Sequence, residues 1–110
     1  MTGLLSKQGH ARKNWKNRWF AIRDRSLYYY TQTNYTDVKG RVNLIGATVK
    51  TEPDMDNRKY IFKITPRDRK EYLISAPTAE ERDMWMEAIK LVSSQTSAVL
   101  SSTFEMISTA

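Results

Sequence analysis

Residues 7–30, KQGHARKNWKNRWFAIRDRSLYYY, decide how the rest of the chain reads. Trp15 to Arg23 alternates so that Lys16, Arg18, Phe20 and Ile22 share one face of a strand. A face that runs cationic, cationic, aromatic, aliphatic describes a strand passing from an open mouth into a packed interior. Before it, Thr2 to Lys7 reads as a strand with Leu5 turned inward and Lys7 on the same face, nearer the strand's end. Gln8 to Asn14, with Gly9, is a charged loop between the two. Asp24-Arg25-Ser26 is a turn, and Leu27 to Gln32 is a third strand carrying three consecutive tyrosines.

Charge singles out the same stretch. Between Lys7 and Arg25 lie seven Lys or Arg and one acid, Asp24, which equals the net +6 of all 110 residues and leaves eleven of each sign elsewhere. One sign confined to one hairpin attracts and steers an anionic partner, and it predicts a molecule with one strongly positive end. Such partners are nucleic acid, anionic lipid or acidic protein.

Working outward, Arg41 to Ile45 and Ala47 to Glu52 are short strands broken at Gly46, and Pro53 to Asn57 has turn chemistry. Lys59 to Thr65 places Tyr60, Phe62 and Ile64 on one face. Pro66 to Lys70 forms a charged hairpin tip, and Glu71 to Ala76 returns with Tyr72 and Ile74 together. Seven short, closely spaced strands predict an antiparallel sandwich or barrel. One helix follows from about Thr78 to Val92. Thr78 and Glu81 form an S/T-x-x-E capping box, Glu80, Glu81 and Asp83 suit its N-terminal end, and Trp85, Ala88, Ile89 and Val92 make one apolar stripe. Residues 93–110 turn Ser/Thr-rich and read as a tail or linker outside a domain spanning 1–92.

The composition bounds the function classes. A chain of this length holds one domain with a modest core. The absence of Cys fits a reducing compartment, and the apolar runs are too short for a transmembrane helix or a signal peptide, so a cytoplasmic domain is expected. No cofactor or metal is expected: His10 is the single histidine, and metal binding needs partners it lacks. No G-x-S-x-G or G-x-x-x-x-G-K-[ST] motif is present, and no enzyme is expected. The three tyrosines read as strand packing with at most one at a ligand, Trp85 as core, and Trp15 and Trp19 as structural.

Lys7, then Lys16-Asn17-Arg18-Trp19-Phe20, then Leu27-Tyr28-Tyr29-Tyr30, then Trp85 on the last helix resemble the pleckstrin homology (PH) domain across residues 2–92. The resemblance implies a mostly β fold in which seven antiparallel strands form a barrel or sandwich of two near-orthogonal sheets, capped by the C-terminal helix. KQGHARKNWKNRWF is similar to the phosphoinositide-binding subset, including the domains of cytohesins and the C-terminal one of pleckstrin. There, Lys, a variable loop, Lys/Arg-x-Arg and two apolar residues bind inositol phosphates bearing a 3-phosphate, a pattern met here by Lys7, Lys16 and Arg18. By position, Lys13 and Asn14 fall in the phosphate-cradling loop, Arg12 adjoins Ala11 where cytohesins are basic, Tyr29 matches a phosphate-reaching tyrosine, and Lys39 matches a basic residue before strand four. The long cytohesin hairpin is replaced by a short turn between Phe62 and Tyr72.

The implied function is a non-catalytic, monomeric module that binds PI(3,4,5)P3 or PI(3,4)P2 through Lys7, Arg12, Lys13, Lys16, Arg18, Tyr29 and Lys39. It is reversibly recruited to the inner face of the plasma membrane. Two alternatives are a protein-interaction module of the same fold with weak anionic-lipid binding, and a single-stranded nucleic-acid binder. The second draws on the basic and aromatic residues interleaved in WKNRWF, but the segment is short and nucleic acid is not the expected partner.

Overall fold

The computed structural model describes residues 1–31 and 34–95. Seven antiparallel strands precede one helix: β1 Thr2–Gln8, β2 Trp15–Arg23, β3 Ser26–Tyr30, β4 Val38–Asn43, β5 Thr48–Glu52, β6 Ile61–Thr65, β7 Tyr72–Ser75 and α1 Ala79–Ser93. Where two near-orthogonal sheets are expected, hydrogen bonds join all seven strands into one ladder in the order β4-β3-β2-β1-β7-β6-β5. The join of β1 to β7 is narrow, with only Ser6 opposite Ser75 and Lys7 opposite Ile74.

Turn chemistry sets the strand ends. Asp24 and Arg25 both have positive φ, the two-residue hairpin geometry that matches strand twist, and they link β2 directly to β3. Tyr60 also has positive φ, so β6 begins at Ile61 rather than at Lys59. β4 starts at Val38, three residues earlier than its sequence suggests, and ends at Asn43, whose side chain turns back to accept from the Ile45 amide at 3.1 Å. β3 ends at Tyr30: Thr31, expected in the strand, is already a bend, and Gln32 lies outside the described residues.

Alternation buries the expected faces. Leu5, Phe20, Leu27, Phe62, Ile64 and Ile74 are almost inaccessible and meet inside the curled sheet. The helix closes one end. Thr78 Oγ1 accepts from the Glu81 amide at 3.1 Å, capping α1 as the sequence motif implies. Trp85, Met86 and Ile89 are buried, with Trp85 lying over Gly3 of β1 and edge-on to Phe20. α1 runs through Ser93, one residue past the apolar stripe, and is capped by Ser94. The expectation of a tail concerns, from residue 96 on, positions outside the described residues.

Candidate functional site

At the end away from the helix, the inner faces of β1 and β2 turn from apolar to cationic. Leu5 is paired with Arg18 and Lys7 with Lys16, so Lys7, Lys16 and Arg18 project together where Phe20 has already closed the core. On the next strand, Tyr29 lies opposite Phe20 on one side and Gly40 of β4 on the other. A Cβ at position 40 would collide with the Tyr29 ring, so only glycine lets that ring lie flat across β4. Lys39 precedes it. The loop between β1 and β2 folds back on itself, Gly9 donating to the Asn14 carbonyl at 2.9 Å and Asn14 to the Arg12 carbonyl at 2.8 Å.

These elements enclose a cleft of about 370 Å³ lined by Lys7, Gly9, His10, Ala11, Arg12, Asn14, Lys16, Arg18, Tyr29 and Lys39. No acidic residue is among them. Among the described residues, none of its five cations is in an ion pair; the pairs formed are Lys63 with Glu52 and Glu71, and Arg82 with Asp83. Lys7 is half-buried, its Nζ 5.1 Å from the centre of the Tyr29 ring and 5.5 Å from that of Tyr72. Burial, and then the neighbouring charges of Arg18 and Lys70, push the Lys7 ammonium below the usual lysine range. Burial pushes the Tyr29 phenol up against the opposing pull of Arg18, so its hydroxyl remains a donor at neutral pH. The site therefore gathers positive charge with hydrogen-bond donors around it, an arrangement suited to a multiply charged anion.

Six of the seven residues named from sequence, Lys7, Arg12, Lys16, Arg18, Tyr29 and Lys39, come together on this cleft. Lys13 does not line it. It lies on the other side of the loop, on a groove with Gln8, His10, Arg69 and Glu71. The expectation that all seven hairpin cations make one positive end also needs correction. β2 rises about 3.3 Å per residue, which carries Arg23 and Arg25 to the opposite end of the strand from Lys16. There Arg23 stacks over Tyr28 at 4.7 Å and donates to the Tyr30 hydroxyl at 2.6 Å. His10 and Asn14 also line the cleft. His10 Nε2 lies 2.6 Å from the Glu71 carbonyl, which can only accept, so Nε2 carries the proton. That contact spans sixty-one residues, and nothing in the local sequence reveals it.

The PH domain family matches residues 1–94. The chain belongs to that family. Mouse pleckstrin-2 is 41% identical over 88 residues, covering 76% of this PH domain's chain and 25% of that protein. Chicken switch-associated protein 70 is 37% identical over 89 residues, covering 80% and 15%. The chain thus spans a quarter or less of these relatives. Among solved structures, the C-terminal PH domain of pleckstrin superposes with a TM-score of 0.76 at 37% identity, covering 84% of this chain and 94% of that one. The same domain crystallised with D-myo-Ins(1,2,3,4,5)P5 gives a TM-score of 0.75 at 37% identity, covering 84% and 96%. PH domains are non-catalytic modules.

Proposed function

We propose that this PH domain binds the headgroup of 3-phosphorylated inositol lipids, PI(3,4,5)P3 and PI(3,4)P2, and thereby recruits its parent protein reversibly to the cytoplasmic face of the plasma membrane. The observation that carries the reading is the convergence of five cations, none in an ion pair among the described residues, from β1, β2, β4 and the β1–β2 loop on one cleft. A headgroup with several phosphates requires cations from several chain segments. Arg18 offers a bidentate fork to phosphate oxygens, while Lys7 and Lys16 act as point charges on the 3- and 4-phosphates. Arg12 and Lys39 flank them, and the Tyr29 hydroxyl donates. Lys13, outside the cleft, faces the membrane surface, where each cation near an anionic leaflet contributes about 1 kcal/mol. The inositol pentakisphosphate bound to the similar pleckstrin domain supports this choice of ligand class.

The preference for a 3-phosphate rests on the resemblance of KQGHARKNWKNRWF to the 3-phosphate-binding subset. β6 and β7 are joined by only the short segment between Thr65 and Tyr72, so little chain encloses the 5-phosphate side. Discrimination between the two lipids is therefore modest. Calorimetric titration with soluble headgroups tests the reading. Ins(1,3,4)P3 and Ins(1,3,4,5)P4 are expected to bind with comparable affinity and more tightly than Ins(1,4,5)P3. Absence of binding to all three removes the headgroup reading, and equal or tighter binding of Ins(1,4,5)P3 removes the 3-phosphate preference.

A further inference from the structure

The cleft has a mechanical problem built into it. Lys7 and Lys16 are directly opposite each other across β1 and β2, with Arg18 beside them, and like charges at facing positions push strands apart. On the Lys7 side, half-burial weakens the water screening that would relieve the repulsion, and its ammonium is pushed below the usual lysine range. The strain falls at the mouth of the hairpin, where β1 ends at Gln8 and the phosphate-facing loop begins. The backbone ladder pairs the strands through that point, and a side-chain tie there would reinforce it.

The opposite face of the same hairpin carries such a tie. Gln8 pairs with Trp15 and Ser6 with Asn17, the two rungs on either side of the Lys7–Lys16 rung, and their side chains point outward. The connection between β5 and β6 folds over them. Its tip is a two-residue turn in which Met55 and Arg58 exchange both backbone hydrogen bonds, at 3.2 and 2.7 Å, and Asp56 and Asn57 have φ of 51° and 60°. This turn delivers Asp56 Oδ2 to the mouth rung, where it accepts from Trp15 Nε1 at 3.2 Å and from Gln8 Nε2 at 3.4 Å. Arg58 continues the contact one rung inward. Its guanidinium lies 5.8 Å from the centre of the Trp15 ring and donates to Ser6 Oγ at 3.2 Å, and Ser6 donates to Asn17 at 2.7 Å.

We propose that Asp56 is a positioning residue for the anion cleft: a carboxylate on the far side of the sheet that ties Gln8 to Trp15 and so holds Lys7, Lys16 and the 9–14 loop at headgroup-binding spacing. The role rests on the proposed headgroup function, but the clamp itself is a property of the free protein. Two mechanisms give opposite signs. As a through-space charge, Asp56 opposes an anionic ligand, and removing it strengthens binding. As a clamp, it supports binding, and removing its acceptor weakens binding.

Asp56→Asn and Asp56→Gly separate the two. Both remove the same charge, and both residue types tolerate the positive φ at this position without strain. Only Asn retains a side-chain oxygen to accept from Trp15 and Gln8. Calorimetry with Ins(1,3,4,5)P4 is expected to show Asp56→Gly binding about three- to tenfold more weakly than Asp56→Asn, the scale of one or two exposed hydrogen bonds. Amide hydrogen exchange of the ligand-free proteins is expected to be faster in Asp56→Gly at residues 9–14, with β3 to β7 unchanged. Equal affinity of the two variants, or tighter binding by both than by the wild type, with equal exchange in the loop, overturns the proposal. If wild type binds no inositol phosphate, the headgroup reading fails, and the exchange comparison alone decides the clamp.

Discussion

At the scale of single residues, the role proposed for Lys7 and its effect on stability pull in opposite directions. Its ammonium is held below the ordinary lysine range chiefly by burial, then by Arg18 and Lys70. A lysine whose folded pKa is depressed carries its charge at a cost to folding at all lower pH. In the window between the lowered value and the ordinary one, the unfolded chain binds more protons than the folded one. Stability therefore rises with pH there. Headgroup binding has the reverse sign, since a bound phosphate favours the ammonium and affinity falls as pH climbs through the same window. Lys7→Met is accordingly expected to raise the melting temperature at neutral pH while weakening Ins(1,3,4,5)P4 binding; a variant that loses both stability and binding contradicts this account. Arg18→Ala differs in kind. It removes a bidentate phosphate partner and is expected to cost about 2–5 kcal/mol of binding with the domain still folded, read by calorimetry beside circular dichroism. These residues were legible from sequence because strand alternation places Lys7, Lys16 and Arg18 on the face of Leu5 and Phe20.

At the scale of elements, legibility tracks how local the determining forces are. The Trp15–Arg23 strand is read to the residue from its alternation, and α1 from a capping box and a 3.6-residue stripe. The start of β4 is not, because Val38 joins the ladder only by pairing with Tyr30, beyond a register shift that leaves Lys39 without a partner strand residue. Lys13 illustrates the same limit within the site: sequence places it in the right loop, but which side of the loop it faces depends on the fold-back of Gly9 onto Asn14. The Asp56 contacts are equally hidden, spanning forty-eight and forty-one residues to reach Gln8 and Trp15. A prediction at this scale concerns how the helix is held. Trp85→Ala leaves a cavity against Gly3 and Phe20 and is expected to cost about 3–5 kcal/mol by denaturant unfolding. Thr78→Ala removes one cap hydrogen bond and is expected to cost about 1 kcal/mol. Equal costs show that the helix is held by its own end and not by the core beneath it.

At the scale of the whole molecule, part of the positive charge lines the cleft and part lies on exposed loops outside it, which the proposed function assigns to headgroup and membrane surface respectively. Sequence counting cannot make that division, because it adds Arg23 and Arg25 to the same sum as Lys16 although β2 carries them to its other end. On that reading the two parts have different expected salt responses. Lys13, Arg69 and Lys70 are exposed, and charges in water are screened over about 10 Å at 0.1 M salt and about 3 Å at 1 M. Lys7 is half-buried over Tyr29 and Tyr72, so in the proposed complex it would meet phosphate where little salt enters. Binding to vesicles carrying phosphatidylserine alone is thus expected to collapse as salt rises through the physiological range. Binding to vesicles that also carry PI(3,4,5)P3 is expected to fall more gently and to level off at the contribution of the cleft. Arg18→Ala should abolish that plateau and leave the salt-sensitive part nearly intact, since Arg18 faces the cleft rather than the membrane. Flotation measured across a salt series decides the matter: parallel loss on both vesicles would mean that the charge acts as one undivided field and that the cleft adds no recognition of its own.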